Sequence, residues 1–221
     1  MPVSTVVGRD RSILPLTRLP VSAAAWTVVQ GTGWTISNPT ASSLRLEWVG
    51  GSAVDWSAST ETGLALVYPV KLGVLSNAAR HCRLQLAYSQ ASANGIGVGI
   101  GFSSTSAVVA AKWGARHEVR DGSGTVAVRD EADSTSAPYS LAGQTRRGVI
   151  CTEIETLSTT VCWGKVAGAA AGYNERRYAG THITYSEGSD VYVVIFAVGD
   201  TTAGSVDITS IGAQFINLEM I

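Results

Sequence analysis

Two short segments combine aromatic rings with polar side chains, the pairing that sugar recognition uses. Asp55 and Trp56 are adjacent in one segment, and residues 173–178 of the other read Tyr-Asn-Glu-Arg-Arg-Tyr. A sugar ring stacks its apolar face on an aromatic side chain and directs its hydroxyls toward polar groups. The alternative for each ring is a core position, because most tryptophans of a β-sandwich are buried. The sequence thus indicates six candidate glycan-binding residues: Asp55, Trp56, Tyr173, Asn174, Arg176 and Tyr178.

Glu153 and Glu155 could act together on a glycosidic bond, because residues two apart on a strand share one face. Glycoside hydrolysis uses two carboxylates roughly 5–10 Å apart. Hydrolases of the sandwich class usually carry Glu-x-Asp-x-x-Glu, whereas this segment reads Glu-Ile-Glu-Thr-Leu-Ser and has no third acid. We therefore predict a solvated strand face and no enzyme, with a polysaccharide hydrolase or lyase as the second alternative function.

Neither the histidines nor the glycine-rich segment carries a metal or cofactor motif. His81, His117 and His182 are each isolated in sequence, whereas a zinc site needs several converging ligands. The glycines of residues 95–99 alternate along an extended segment, whereas a phosphate-binding loop lies at a strand-to-helix turn. No Gly-x-Ser-x-Gly nucleophile motif is present. We predict no metal, no cofactor and no catalytic residues.

The three cysteines, Cys82, Cys151 and Cys162, form neither a disulfide framework nor a Cys-x-x-Cys metal pattern. A Cys151–Cys162 bridge across a hairpin is one arrangement that the spacing allows. Buried free thiols are the other, and they fit the apolar character of cysteine.

The charge balance limits the partners of the chain. Of its 221 residues 15% are charged, and the formal net charge is −1. This excludes the basic surface that nucleic acid or an anionic membrane requires, and no 18-residue apolar window indicates membrane insertion. Residues 1–11 lack the apolar core of a signal peptide, which predicts synthesis in the cytoplasm. Since low charge is typical of surfaces that form large protein contacts, we expect a homo-oligomer.

Strands must position these residues, and two of them stand out. In residues 95–102 glycine alternates with Ile, Val, Ile and Phe, so four glycines share one face. Glycine weakens a strand, and we therefore expect a ring, a backbone, a subunit or a ligand close against that face. Val191–Val198 is almost continuously apolar, which predicts a strand buried on both faces or at an interface.

About a dozen short alternating segments predict an all-β protein, an antiparallel β-sandwich forming one domain over residues 26–221. Hairpins are expected at residues 117–129 and 148–166, and loops at residues 131–144 and 168–178. Residues 1–25 contain three prolines, which favours an extended docking arm or a strand that closes the sandwich edge. In a docking arm, six side chains would contact the partner: Arg9, Arg11, Ile13, Leu14, Leu16 and Arg18.

The strand order, the glycine strand and the closing segment Ser205–Ile211 resemble concanavalin-like or jelly-roll sandwiches. In its low charge and its abundance of Ala, Gly, Ser and Thr, the chain resembles bacteriophage virion proteins, especially fibre, spike and decoration subunits. That similarity implies a non-enzymatic virion component that oligomerises, docks on other virion proteins through residues 1–25 and contacts a host-surface glycan. The alternative function is a carbohydrate-binding module or lectin.

Overall fold

The computed structural model describes residues 17–51, 63–74, 81–90, 96–103, 105–106, 112–120, 125–129, 139–140, 146–156, 159–168, 172–180, 188–199 and 201–216. Within these ranges the chain forms sixteen strands and one turn of 3-10 helix at Ala23–Ala25. None of the helical structure in these ranges is long and apolar enough to cross a membrane.

Eight of these strands form sheet A, in which neighbouring strands pair antiparallel. β1 (Thr17–Leu19) and β4 (Ser43–Trp48) share one edge of β16 (Gly204–Ile216), because β7 (His81–Gln90) pairs along its other edge. The order across the sheet is β14 (Gly172–Gly180), β13 (Thr159–Gly168), β12 (Arg146–Thr156), β7, β16, β4 and β3 (Trp34–Thr40).

Sheet B contains the other eight strands, also paired antiparallel. β6 (Gly73–Val74) pairs with the start of β15 (Asp190–Gly199), on the edge that β5 (Leu64–Val67) continues. The order across the sheet is β11 (Tyr139–Ser140), β10 (Thr125–Arg129), β9 (Lys112–Arg120), β8 (Ile96–Ser103), β15, β5 and β2 (Thr27–Gln30).

The core lies between the two sheets and is built by strict alternation along each strand. On β4 the buried residues are Leu44, Leu46 and Trp48, whereas Arg45 and Glu47 lie on the opposite face. β7, β16, β5, β8 and β15 contribute to the same cluster: Leu84, Leu86, Tyr88, Val206, Ile208, Ile211, Leu64, Leu66, Ile96, Val98, Ile100, Phe102, Val191, Val193 and Ile195. The predicted all-β antiparallel sandwich is confirmed.

The central strands β5, β8 and most of β15 in sheet B are buried on both faces. Val194, Phe196 and Val198 of β15 form a separate cluster with Ala65 and Val67 of β5, and Phe196 is only 1% exposed. On the other side of β15, Phe196 is in register with Gly99 and Val194 with Gly101, both buried glycines. The glycines therefore leave room beside a large cross-strand ring. The prediction that residues 191–198 form a strand buried on both faces is confirmed.

Both predicted hairpins are present, but one predicted loop is wrong. Thr125 pairs with Arg120 and Thr159 with Thr156. Residues 172–180 form β14 in register with β13, although a loop was expected over residues 168–178. An edge strand tolerates a polar, charged sequence, since charges blunt an edge against further pairing. Within the loop expected at residues 131–144, Tyr139–Ser140 form a short strand on β10.

The register of β12 with β13 concerns two predictions, the acid pair Glu153 and Glu155 and the Cys151–Cys162 bridge. The register shifts between Ile154 and Thr156, which indicates a bulge at Glu155 of β12. Cys162 is opposite Thr152 and not opposite Cys151. Both arrangements of these cysteines, a bridge and free thiols, stay predictions.

The N-terminal segment ends as part of the sandwich. Leu19, the last residue of β1, is 8% exposed and belongs to the core, and it pairs with Ile211. Residues 17–19 thus form the edge-closing strand, one of the two alternatives for this segment. Residues 1–16 lie outside the described residues, and they include five of the residues predicted to dock: Arg9, Arg11, Ile13, Leu14 and Leu16. A docking arm in residues 1–25 therefore stays a prediction.

Candidate functional site

The six residues predicted to bind a glycan fall in two different places. Asp55 and Trp56 lie outside the described residues. Tyr173, Asn174, Arg176 and Tyr178 lie on β14 at the edge of sheet A, opposite Ala167, Val166, Gly164 and Cys162 of β13, respectively. This corrects the predicted loop, because the four residues lie on a paired strand. Their contribution to ligand binding stays a prediction.

Three tryptophans of the described part are structural. Trp26 is 6% exposed and packs against Tyr68, with ring centroids 5.4 Å apart and the ring planes tilted by 50°. Its indole N–H donates to the Pro20 carbonyl at 2.9 Å. Trp48 is 5% exposed and packs against Trp34, with centroids 5.3 Å apart. These rings anchor the core and its margin, which leaves little ring surface for a sugar.

A different site is formed where the β3–β4 hairpin meets β16, β7 and β12. An open groove of about 660 Å³ lies there, within the size range of sites for small organic ligands. Ala87 and Val149 give it an apolar part, and the buried Tyr88 borders it from the core. Its polar lining consists of five hydroxyl side chains and one carboxylate: Thr40, Ser42, Ser43, Ser89, Thr209 and Asp207.

The groove coincides with an irregularity in the central strand. β4 pairs with β16 as far as Ile208, and β1 begins to pair at Ile211 on the same edge. Between these points the register with β7 shifts at Thr209, and the Thr209 hydroxyl donates to the Ala87 carbonyl at 3.4 Å. Bulges of this kind interrupt pairing and redirect side chains, often beside functional sites. The gap between two partner strands opens the groove at this position.

Asn38 fixes the hairpin that forms one wall. Its side-chain amide donates to the carbonyls of Val21 and Ser43, at 2.7 and 2.8 Å. Its Oδ1 accepts the backbone N–H of Ala23 at 2.8 Å. Both amide protons of Asn38 are therefore used. A single side chain ties the hairpin to the segment that follows β1.

The hairpin presents its hydroxyls as a connected set. Thr40 Oγ1 and Ser43 Oγ are 2.7 Å apart, and Thr40 Oγ1 accepts the backbone N–H of Ser42 at 3.3 Å. One hydroxyl proton bridges Thr40 and Ser43, and Thr40 Oγ1 also lies 3.4 Å from Ser42 Oγ, so the three hydroxyls form one hydrogen-bonded set. Ser42 and Ser89 add hydroxyls that both donate and accept. The groove can thus hydrogen-bond a ligand rich in hydroxyl groups.

Asp207 is held by a two-point contact with Arg45, its register partner on β4. Arg45 Nε donates to Oδ1 at 2.7 Å, and a terminal nitrogen donates to Oδ2 at 2.8 Å. The hydrogen bond to Asp207 raises the pKa of Arg45 above its ordinary value. Such paired contacts fix the plane of a carboxylate. Because the side chains are 37% and 29% exposed, the contact supplies orientation more than stability.

The sequence reasoning missed this site. Alternation along residues 44–49 places Arg45 on the solvent face, and residues 205–211 read as a closing strand, but nothing local joins Arg45 to Asp207. Serine and threonine are abundant along the chain, so the groove hydroxyls carry no distinguishing signal. Among the residues that the structure describes, no group of three metal-ligating side chains is found.

Comparison with solved structures supports the fold class. The chain resembles peanut lectin, with a TM-score of 0.57 and 11% identity over 92% of this chain and 99% of the lectin. It also resembles the lectin from Bauhinia forficata in complex with GalNAc, with a TM-score of 0.53 and 11% identity over 93% of this chain and 99% of that one.

A protein of unknown function from Shewanella oneidensis MR-1 has a similar fold, with a TM-score of 0.53 and 12% identity over 91% of this chain and 82% of that one. No family model matches the sequence, and no curated protein matches it either. At these identities the likeness shows the fold alone, a lectin-like β-sandwich.

Proposed function

We propose that this protein is a non-enzymatic carbohydrate-binding protein, a lectin in kind, and that the groove beside the β3–β4 hairpin is its glycan site. The observation that carries the proposal is the groove lining, in which the hydroxyls of five Ser and Thr residues and one oriented carboxylate lie beside apolar Ala87 and Val149. Sugars offer the matching surface of alternating hydroxyl and C–H groups. The lectin-like fold supports the same kind of function.

The virion role suggested by composition gains no support from the structure or the comparisons. A virion subunit that recognises a host glycan would contain the same site. The assignment to a virion, the docking arm and the homo-oligomer therefore stay predictions, separate from the proposal of glycan binding.

Glycan-array binding followed by calorimetric titration tests the proposal. Thr209→Val removes a groove hydroxyl and keeps the shape of the side chain. Loss of one hydrogen bond is worth about 1 kcal/mol, which corresponds to roughly a five-fold rise in Kd. Thr35→Val is the matched control, because Thr35 is an exposed threonine of β3 outside the groove lining. We expect its Kd to be unchanged.

The same titration distinguishes the two candidate locations. If Trp56→Ala abolishes binding while Thr209→Val has no effect, the site lies in the Asp55–Trp56 segment and the groove assignment is wrong. If the wild-type protein binds nothing on an array of neutral and acidic glycans, the proposed function itself is wrong.

A further inference from the structure

Among the described residues that line the groove, Asp207 is the only charged one. Each of its carboxylate oxygens accepts one hydrogen bond from Arg45, at 2.7 and 2.8 Å. A carboxylate has about four acceptor positions and no proton to donate. Among the hydrogen bonds of the described residues, those from Arg45 leave about two acceptor positions of Asp207 for a ligand, and each of these positions requires a donor.

Among the described side chains, the cation that contacts Asp207 is Arg45. The hydrogen bonds of Arg45 are directed at the carboxylate, and Arg45 is not part of the groove lining. The other polar lining residues are neutral hydroxyls. An anionic ligand would therefore meet a fixed negative charge, with no cation in the described lining to compensate it.

We propose that Asp207 is a specificity-determining residue that selects neutral sugars, accepting hydrogen bonds from two adjacent ligand hydroxyls and excluding sugars that carry sulfate or carboxylate groups. Arg45 is its positioning residue, since the two-point contact sets the direction of the free acceptor positions. This inference depends on the glycan-binding function proposed above, and it adds the chemical class of the ligand.

The test uses the full chain and an array that prints neutral oligosaccharides beside sulfated and sialylated forms of the same oligosaccharides. We expect the wild-type protein to bind the neutral forms at least about ten-fold more tightly than their acidic counterparts. Asp207→Asn keeps the size of the side chain and removes its charge. We expect this variant to lose about ten-fold in affinity for neutral forms and nearly all of its discrimination.

Asp190→Asn is the matched control. Asp190 also accepts a hydrogen bond from a cation, Lys71 at 2.9 Å, and it is similarly exposed, but it lies on β15 of sheet B. This variant should keep both the affinity and the discrimination of the wild-type protein. Circular dichroism and urea unfolding of each variant establish that binding is measured on folded protein.

Arg45→Gln separates charge from orientation. It leaves Asp207 charged, so discrimination against acidic forms should persist, while affinity for neutral forms falls several-fold because the carboxylate is no longer fixed. Equal or preferred binding of acidic forms by the wild-type protein, or full discrimination in Asp207→Asn, would overturn the inference and leave the glycan-binding function standing. Absence of binding to every printed glycan would overturn both.

Discussion

Gly148 of β12 lies opposite Tyr88 of β7, and a methyl group added there would collide with the ring. The new Cβ would be 2.5 Å from Cε1 and 2.7 Å from the hydroxyl of Tyr88. Tyr88 is 3% exposed and part of the core, so its ring has little room to move. Gly→Ala at a compatible strand position stabilises by about 0.4–1 kcal/mol, whereas overpacking destabilises by about 1–3 kcal/mol. With the new Cβ only 2.5 Å from the ring, the steric cost is larger than the gain in stability from replacing glycine.

We therefore expect Gly148→Ala to lower the free energy of unfolding by about 1–2 kcal/mol. For a chain of this size each kcal/mol lowers Tm by about 2–4 °C, so Tm should fall by roughly 2–8 °C. Urea unfolding and calorimetry measure both quantities.

A double-mutant cycle identifies the cause of the loss. Tyr88→Leu removes the ring, and in that background Gly148→Ala should be neutral or stabilising, which gives a coupling energy of about 1–3 kcal/mol. A wild-type Tm for Gly148→Ala, or an equal loss in both backgrounds, would refute the reasoning, because the ring would then be free to move aside.

Two further variants test the glycine face and the N-terminal strand. Gly99→Val places a branched side chain beside the Phe196 ring and should destabilise by about 1–3 kcal/mol; an unchanged Tm would mean that the glycine face is open. Deleting residues 1–20 should cost about 3–6 kcal/mol relative to deleting residues 1–16, since it removes buried Leu19 and the carbonyl that accepts the Trp26 indole N–H. Equal urea midpoints for the two truncations would show that β1 contributes nothing to stability.

The fold class was readable from the sequence because strand alternation is a local property. Leu44, Leu46 and Trp48 repeat with a period of two, and so do Leu84, Leu86 and Tyr88. That period alone decides which face of each strand is buried. The glycine strand likewise predicted a close neighbour, since four glycines on one face are unfavourable unless something lies against them.

Residues 168–178 show where local reading fails. The segment contains Ala-rich and charged stretches that are typical of a loop, yet residues 172–180 pair with β13 as an edge strand. Pairing energy comes from the neighbouring strand, and an edge strand needs little apolar surface of its own. The sequence of the segment therefore could not distinguish the two states.

The sequence by itself determined that this chain is an antiparallel sandwich with an apolar interior, because the signals for burial repeat within each strand. Only the tertiary structure decided where a ligand could bind. Arg45 and Asp207 are 162 residues apart and meet through the register of β4 with β16, while the groove opens where one partner strand of β16 ends and another begins. Strand order and register arise from long-range pairing, and no local pattern of residues encodes them.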